Sequence, residues 1–102
     1  MSNVYGLLGI AVKAGRVQSG LFLTKEAVAR GRACLVIAAA DAKENTVREL
    51  ENACAYYKVP MVRFGSKEEL GEKTGKASDR SCLAVTDPGF ADALQRLIDA
   101  AQ

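Results

Sequence analysis

The charged side chains of this chain are distributed unevenly along its length. Residues 1–40 carry five basic residues and one acidic residue, a balance of +4, whereas residues 81–102 carry one basic and three acidic residues, a balance of −2. The five basic residues are Lys13, Arg16, Lys25, Arg30 and Arg32. Lysine and arginine contact anionic groups, so this distribution favours an anionic partner for the N-terminal part. Because the total net charge is only +2, an ordinary solvated surface with a chance distribution of charge is the alternative.

Side chains that carry out acid–base, metal or nucleotide chemistry are missing or isolated. The sequence has no histidine, and it lacks both a G-x-G-x-x-G loop and a Walker-type loop. Cys34, Cys54 and Cys82 lie in apolar segments without C-x-x-C spacing, which is typical of reduced core residues and not of a disulfide framework or a zinc site. Asp41 follows an apolar segment, where a catalytic carboxylate could stand, but capping of the next helix is the better interpretation. We therefore predict a non-enzymatic protein with no cofactor and no metal.

The segment from Gly20 to Asp41 predicts a helix that leads directly into a buried strand. Ser19 is expected to cap the helix, which ends near Arg30 and is followed by Gly31. Residues 33–40 are all apolar. Their number and abrupt ends favour a strand covered on both faces.

Helical and extended patterns alternate along the rest of the chain. Helices are predicted over 3–14, about 43–58, 66–73 and from 88 onward, and strands over 16–18, 61–64 and 82–85. In the longest helix, Val47, Leu50, Cys54 and Tyr57 recur at spacings of three and four and should form its buried face. Such alternation predicts an α/β fold, a three-layer α/β/α sandwich around a small mixed sheet of about four strands with parallel crossovers.

Length and the N-terminal pattern limit the organisation of the chain. A chain of 102 residues has room for one hydrophobic core, so residues 1–102 are expected to form a single domain. The apolar stretch from Val4 to Val12 is too short and too rich in glycine to span a membrane. We expect a cytoplasmic protein with no membrane partner.

Four segments, taken in order, resemble the ribosomal protein L7Ae family, and in particular its small bacterial, YlxQ-like members. The segments are Lys13–Gly20, Arg30–Asp41, Val59–Met61 and Ser66–Gly75. The resemblance implies a ribosomal L30e-like α/β/α sandwich. It also implies binding to kink-turns, which are sharply bent RNA duplexes with tandem sheared G·A pairs. In this mode a helix N-terminus meets the base edges, basic side chains contact phosphates, and a loop packs against an extruded nucleotide.

The resemblance also implies which residues would face the RNA. They are Lys13, Arg16, Gly20, Leu21, Phe22, Leu23, Lys25, Lys43, Lys76, Ala77, Ser78, Asp79 and Arg80. The family helix starts with Gly-x-Asn-Glu and has a lysine three residues later, and these polar positions fall on Phe22, Leu23 and Glu26. The alternative for Leu21 to Leu23 is that they are mainly buried, with one or two packed under the first helix; if several are exposed together, a protein contact is favoured.

The resulting hypothesis is a non-catalytic RNA-binding protein whose partner is structured RNA, ribosomal or another kink-turn RNA. A protein-interaction module that kept the fold but lost specific RNA readout is the alternative. A third possibility is the substrate-recognition domain of an RNA-modification enzyme, present as a separate chain.

Overall fold

The computed structural model describes residues 3–101 and contains, within them, five helices and four strands. In chain order these are α1 (Val4–Lys13), β1 (Val17–Ser19), α2 (Leu21–Ala29), β2 (Leu35–Ala38), α3 (Glu44–Tyr57), β3 (Met61–Arg63), α4 (Lys67–Lys73), β4 (Cys82–Val85) and α5 (Pro88–Ala101). Every element expected from the sequence is therefore confirmed in type and order. Residues 1, 2 and 102 of the expected single domain lie outside the described part.

The four strands form one mixed sheet in the order β1-β4-β2-β3, so β1 and β3 are its edges. Strands β2 and β3 are parallel and are joined through α3, whereas β4 runs antiparallel to both of its neighbours. The expectation that all crossovers are parallel is therefore wrong. Helix α4 is only about 10 Å long, so it cannot carry the chain back across the sheet. The backbone N–H of Arg80 donates to the carbonyl of Lys67 at 3.0 Å, which places the start of β4 at the same end of the sheet as the end of β3.

Alternate residues of the two central strands face two separate hydrophobic layers. Leu35, Ile37, Leu83 and Val85 pack against α1, α4 and α5. Val36, Ala38, Cys82 and Ala84 pack against α2 and α3. All eight side chains are completely buried. The prediction of a strand covered on both faces is confirmed, and it extends to β4.

Glycines end the first two helices in the same way. Gly15 and Gly31 both have positive φ angles, of 74° and 72°. After each glycine the next backbone N–H reaches back to a carbonyl five residues earlier, from Arg16 to Ala11 and from Arg32 to Ala27, both at 2.9 Å. This is the Schellman arrangement, which only a residue tolerant of positive φ makes easily. The two predicted helix ends are confirmed.

Two expectations about α3 are wrong. Asp41 does not cap this helix: Lys43 precedes α3, and the Asp41 carboxylate instead accepts a hydrogen bond from the backbone N–H of Lys67 at 2.8 Å, at the start of α4. Tyr57 is 46% exposed and does not continue the buried stripe. The helix ends at this residue, and Lys58 after it adopts a left-handed conformation with a φ of 58°.

Candidate nucleic-acid interface

Helix α2 begins without a side-chain cap. Ser19 belongs to β1, so the expected Ser19 cap is wrong, and Gly20 precedes the helix with φ 95° and ψ 158°, a conformation that favours glycine. The N–H of Gly20 donates to the carbonyl of Cys82 at 2.9 Å, and the N–H of Thr24 donates to the carbonyl of Gly20 at 3.0 Å. Backbone N–H groups of the first turn precede the helical hydrogen-bond ladder. They can therefore donate to a ligand, with the positive end of the helix dipole behind them.

The loop before β4 lies beside this helix start. A Cβ added to Gly20 would be 3.7 Å from Arg80 Cδ, which places the Arg80 side chain against the glycine backbone. Arg80 Nη1 donates to Ser78 Oγ at 2.7 Å and to the carbonyl of Asp79 at 3.0 Å, so the guanidinium is fixed to its own loop. Helix and loop enclose a groove of about 350 Å³, which we call the N-terminal groove. Its lining residues are Ser19, Gly20, Leu21, Phe22, Leu23, Asp79, Arg80 and Ser81.

The loop approaches closely because Gly71 of α4 has no side chain. A Cβ at this position would lie 3.1 Å from Asp79 Cα and from the carbonyl carbon of Ser78, and closer still to the Ser78 oxygen. The N–H of Lys76 also donates to the carbonyl of Gly71 at 2.9 Å. Gly71 thus sets the position of the whole loop relative to α2.

The apolar residues at the start of α2 are largely exposed. Phe22 is 75% and Leu23 40% exposed, whereas Leu21 is half-buried against the layer beneath α2. The alternative of a mainly buried segment is therefore wrong for Phe22 and Leu23. The helix buries Thr24, Ala27 and Val28 instead, so the two larger side chains are turned toward solvent.

The remaining predicted cations at this end of the sheet have different surroundings. Lys25 Nζ is 2.8 Å from Glu49 Oε1 of α3, and because both side chains are about half-exposed, this ion pair is weak. Lys43 precedes α3 and is exposed, as are Lys76, Ala77 and Ser78 of the loop. None of these residues lines the N-terminal groove.

Lys13 and Arg16 are not brought into the N-terminal groove. The carbonyl of Arg16 accepts from the N–H of Thr86 beyond the end of β4, whereas Gly20 contacts Cys82 at the beginning of β4. Arg16 and Gly20 therefore stand at opposite ends of β1, about 13 Å apart at roughly 3.3 Å per residue. The single surface expected from the sequence is divided in two.

A second groove of about 220 Å³ lies at the other end of α2, and we call it the C-terminal groove. Its lining residues are Gly15, Gln18, Leu23, Glu26, Ala27, Arg30, Arg32 and Thr86. Arg30 and Arg32 were not among the predicted site residues. Both arginines do belong to the basic residues of 1–40 that favour an anionic partner, and this charge is the signal in the sequence that points to them.

Other chemistry has little support in the described residues. Burial raises the pKa of the Cys54 and Cys82 thiols, which disfavours the reactive thiolate form. Residues 3–101 contain no cluster of three or more cysteine, aspartate or glutamate side chains suited to a metal ion. Across the same residues, no helix combines the length and the apolar character that crossing a bilayer requires.

The fold and the interface together define a class: a small α/β/α sandwich that presents the start of one helix and a neighbouring loop at one end of its sheet. The chain belongs to the ribosomal protein L7Ae/L30e/S12e/Gadd45 family, whose model matches residues 2–95. The resemblance drawn from the sequence is confirmed, as is the α/β fold that it implied.

Two bacterial relatives are similar over nearly their whole length. The RNA-binding protein YlxQ of Bacillus subtilis (strain 168) is 41% identical over 95 residues, which cover 93% of this chain and 94% of that protein. The RNA-binding protein YlxQ of Enterococcus faecium is 33% identical over 93 residues, covering 91% of this chain and 88% of that protein.

Two solved structures share the fold. A protein of unknown function from Bacillus halodurans C superposes with a TM-score of 0.90 at 33% identity, over 97% of this chain and 99% of that one. The Giardia lamblia 15.5kD RNA binding protein superposes with a TM-score of 0.80 at 25% identity, over 96% of this chain and 83% of that one.

Proposed function

We propose that this protein binds structured RNA without catalysing a reaction, and that its target is a kink-turn of ribosomal or similar RNA. The observation that carries the proposal is the N-terminal groove, in which the free N–H groups of α2 lie beside Arg80. Helix N-termini and arginine are complementary to phosphate. The names of the YlxQ relatives and of the Giardia protein support RNA as the source of that phosphate.

Recognition in this groove combines charge, shape and stacking. Phe22 and Leu23 have no polar atoms in their side chains, so they cannot hydrogen-bond to the edges of sheared G·A pairs. The exposed Phe22 ring offers a flat apolar surface on which an unstacked base can lie, and such stacking contributes about 1–3 kcal/mol per base. Arg80, fixed to its loop, and the backbone of α2 hold the phosphates around that base. The proposed readout therefore depends on the bent shape of the RNA more than on base edges.

The non-catalytic part of the proposal agrees with the relatives, whose names describe RNA binding and no reaction. A ribosomal RNA partner would place the protein in the cytoplasm.

Exposure of Phe22 and Leu23 on one helix favours a second candidate, a protein-interaction module that uses this apolar surface. In that case the surface would bind a protein in the absence of RNA. Binding measurements with RNA alone separate the two candidates.

A titration with two labelled RNAs of equal length tests the proposal, one forming a kink-turn and one a straight duplex, at about 50 mM and about 200 mM salt. We expect tighter binding to the kink-turn, with an affinity that falls as salt rises because phosphate contacts release counterions. Equal, weak binding to both RNAs would refute kink-turn recognition, and no binding to either would favour the protein-interaction module.

A matched pair of aromatic variants tests the role of Phe22. Phe22 and Tyr56 are similarly exposed, at 75% and 79%, but Tyr56 lies at the end of α3 outside both grooves. Phe22→Ala should weaken kink-turn binding by about 1–3 kcal/mol, roughly five- to 150-fold, whereas Tyr56→Ala should leave it unchanged. Equal effects of the two substitutions would rule out stacking on Phe22.

A further inference from the structure

The C-terminal groove carries positive charge that the fold leaves largely unpaired. Arg32 is exposed and its side chain makes no ion pair or hydrogen bond within residues 3–101, and the same holds for Arg16, which directly follows Gly15 of the groove. Arg30 Nη2 is 3.8 Å from Glu26 Oε2, a long contact between two exposed side chains that contributes little. Arg16 and Arg32 are therefore free to bind an external anion, and Arg30 is held only by this weak ion pair.

Acidic groups around this groove are few or already engaged. Glu26 lines it, but its single charge is opposed by Arg30 and Arg32. Asp87, next to the lining residue Thr86, accepts a hydrogen bond from the N–H of Phe90 at 2.9 Å and so caps the start of α5. The surface at this end of α2 is consequently basic, although the chain as a whole carries only +2.

The two grooves share one lining residue of α2. Leu23 lines both of them, while the remaining lining residues come from opposite ends of the helix. A helix of this length, 9 residues, spans about 13 Å. An extended ligand in the N-terminal groove would therefore need to continue past Leu23 by about the length of this helix to reach Arg30 and Arg32.

Arginine is well suited to a phosphodiester in such a position. Its planar guanidinium binds two phosphate oxygens at once, and its charge persists at any physiological pH. Gln18 adds a neutral amide to the same groove, and Leu23 with Ala27 offers an apolar wall against which a sugar can pack.

We infer that the C-terminal groove is a second phosphate-binding site, in which Arg30 and Arg32 hold the backbone of one helical arm of the same RNA that occupies the N-terminal groove. This inference rests on the proposed function, because it is the RNA in the first groove that leads the backbone to the second. It adds affinity without sequence preference, since phosphate contacts position the RNA and carry no base information.

The test compares two double variants that remove the same charge. Arg30→Gln/Arg32→Gln alters the groove, and Arg48→Gln/Arg96→Gln removes two exposed arginines of α3 and α5 that line neither groove and form comparable ion pairs four residues apart. Each protein is titrated with the kink-turn RNA and with a version in which one helical arm is shortened, at several salt concentrations. Urea unfolding of each variant verifies that the fold is intact.

For Arg30→Gln/Arg32→Gln we expect at least tenfold weaker binding to the full RNA at low salt and a salt slope smaller by about one to two. Shortening one of the two arms should weaken binding by the wild type to a similar extent and should not weaken this variant further. The control variant should behave as the wild type does.

Three results would overturn the inference. If the groove variant binds like the control, or if shortening either arm weakens the wild type and the groove variant equally, the C-terminal groove does not hold the RNA, although the proposed function stands. If the wild type binds neither RNA, the proposed function and this inference fail together.

Discussion

Gly71 controls the position of the loop that completes the N-terminal groove, so the substitution Gly71→Ala should shift that loop. Atoms in ordinary contact are about 3.5 Å apart, so the backbone of Ser78 and Asp79 would have to retreat by about 1 Å. Arg80, the next residue, would move with it. Backbone cannot rotate away as the end of a flexible side chain can, and overpacking of this kind costs about 1–3 kcal/mol.

Alanine in a helix also has a favourable effect that must be separated from this cost. It is more stable there than glycine by about 1 kcal/mol. Gly9 of α1 provides the control, because a Cβ at that position meets no atom within 4 Å. Gly9→Ala should therefore stabilise the protein by about 0.5–1 kcal/mol, and Gly71→Ala should destabilise it by up to about 2 kcal/mol.

Urea unfolding followed by far-ultraviolet circular dichroism measures both free energies, and the difference between the variants isolates the clash. Kink-turn titration gives a second measurement: Gly71→Ala should weaken RNA binding because Arg80 is displaced, and Gly9→Ala should not. If both substitutions stabilise the protein equally, the loop does not pack against Gly71, and the account of how the groove is built is wrong.

Two further predictions concern stability. Burial and the hydrogen bond from Tyr5 Oη to Glu69 Oε1, 2.9 Å long, raise the pKa of Tyr5, so above about pH 10 the unfolded chain loses a proton that the folded protein keeps. The contribution of Tyr5 to the free energy of unfolding is complete below that pH and is lost as the pH rises above it. Urea unfolding at increasing pH should therefore show a steeper alkaline loss of stability for the wild type than for Tyr5→Phe. Equal loss of stability with pH in the two proteins would contradict this. Asp41→Ala should lower the free energy of unfolding by about 0.5–2 kcal/mol, because it removes the acceptor for the N–H of Lys67. Asp41→Asn keeps an oxygen at this position and should retain most of that stability in the same assay. An equal loss of stability in both variants would show that the hydrogen bond is not the cause.

Local sequence pattern was sufficient to predict most of the architecture. The continuous apolar run around Leu35 to Ala38 can only be covered by layers on both faces, and that requirement already implies a three-layer sandwich. Gly15 and Gly31 mark helix ends because glycine, which has no Cβ, adopts the positive φ angle of such an end more readily than other residues do. Such features depend on neighbours within a few residues.

Features that depend on distant residues were not predicted correctly. Asp41 is of a residue type that commonly caps helices and it precedes α3, but the N–H group from which it accepts a hydrogen bond is that of Lys67 in α4, 26 residues later. The antiparallel direction of β4 likewise depends on where α4 and its loop return the chain. Neither the hydrogen bond to Asp41 nor the direction of β4 produces a recognisable spacing of residues in the sequence.

The candidate interface was predicted in part. Gly20, Phe22 and Arg80 were named from the resemblance, and the fold does bring them together. Lys13 and Arg16 precede Gly20 closely in sequence, which suggested one surface, but the extended backbone of β1 carries them to the opposite end of the sheet. Arg30 and Arg32, farther away in the chain, line a groove with Gly15, the residue directly before Arg16.

The two edges of the sheet bear on how the protein behaves at high concentration. Strands β1 and β3 have only three residues each. Pro60, which has no N–H, comes directly before β3, and Arg63 at its end folds inward to donate to the carbonyls of Ala39 at 3.1 Å and Ala40 at 2.8 Å. Short edges bounded by proline and charge offer little backbone for a second molecule to extend. We therefore expect the protein to resist strand-to-strand aggregation as its concentration rises.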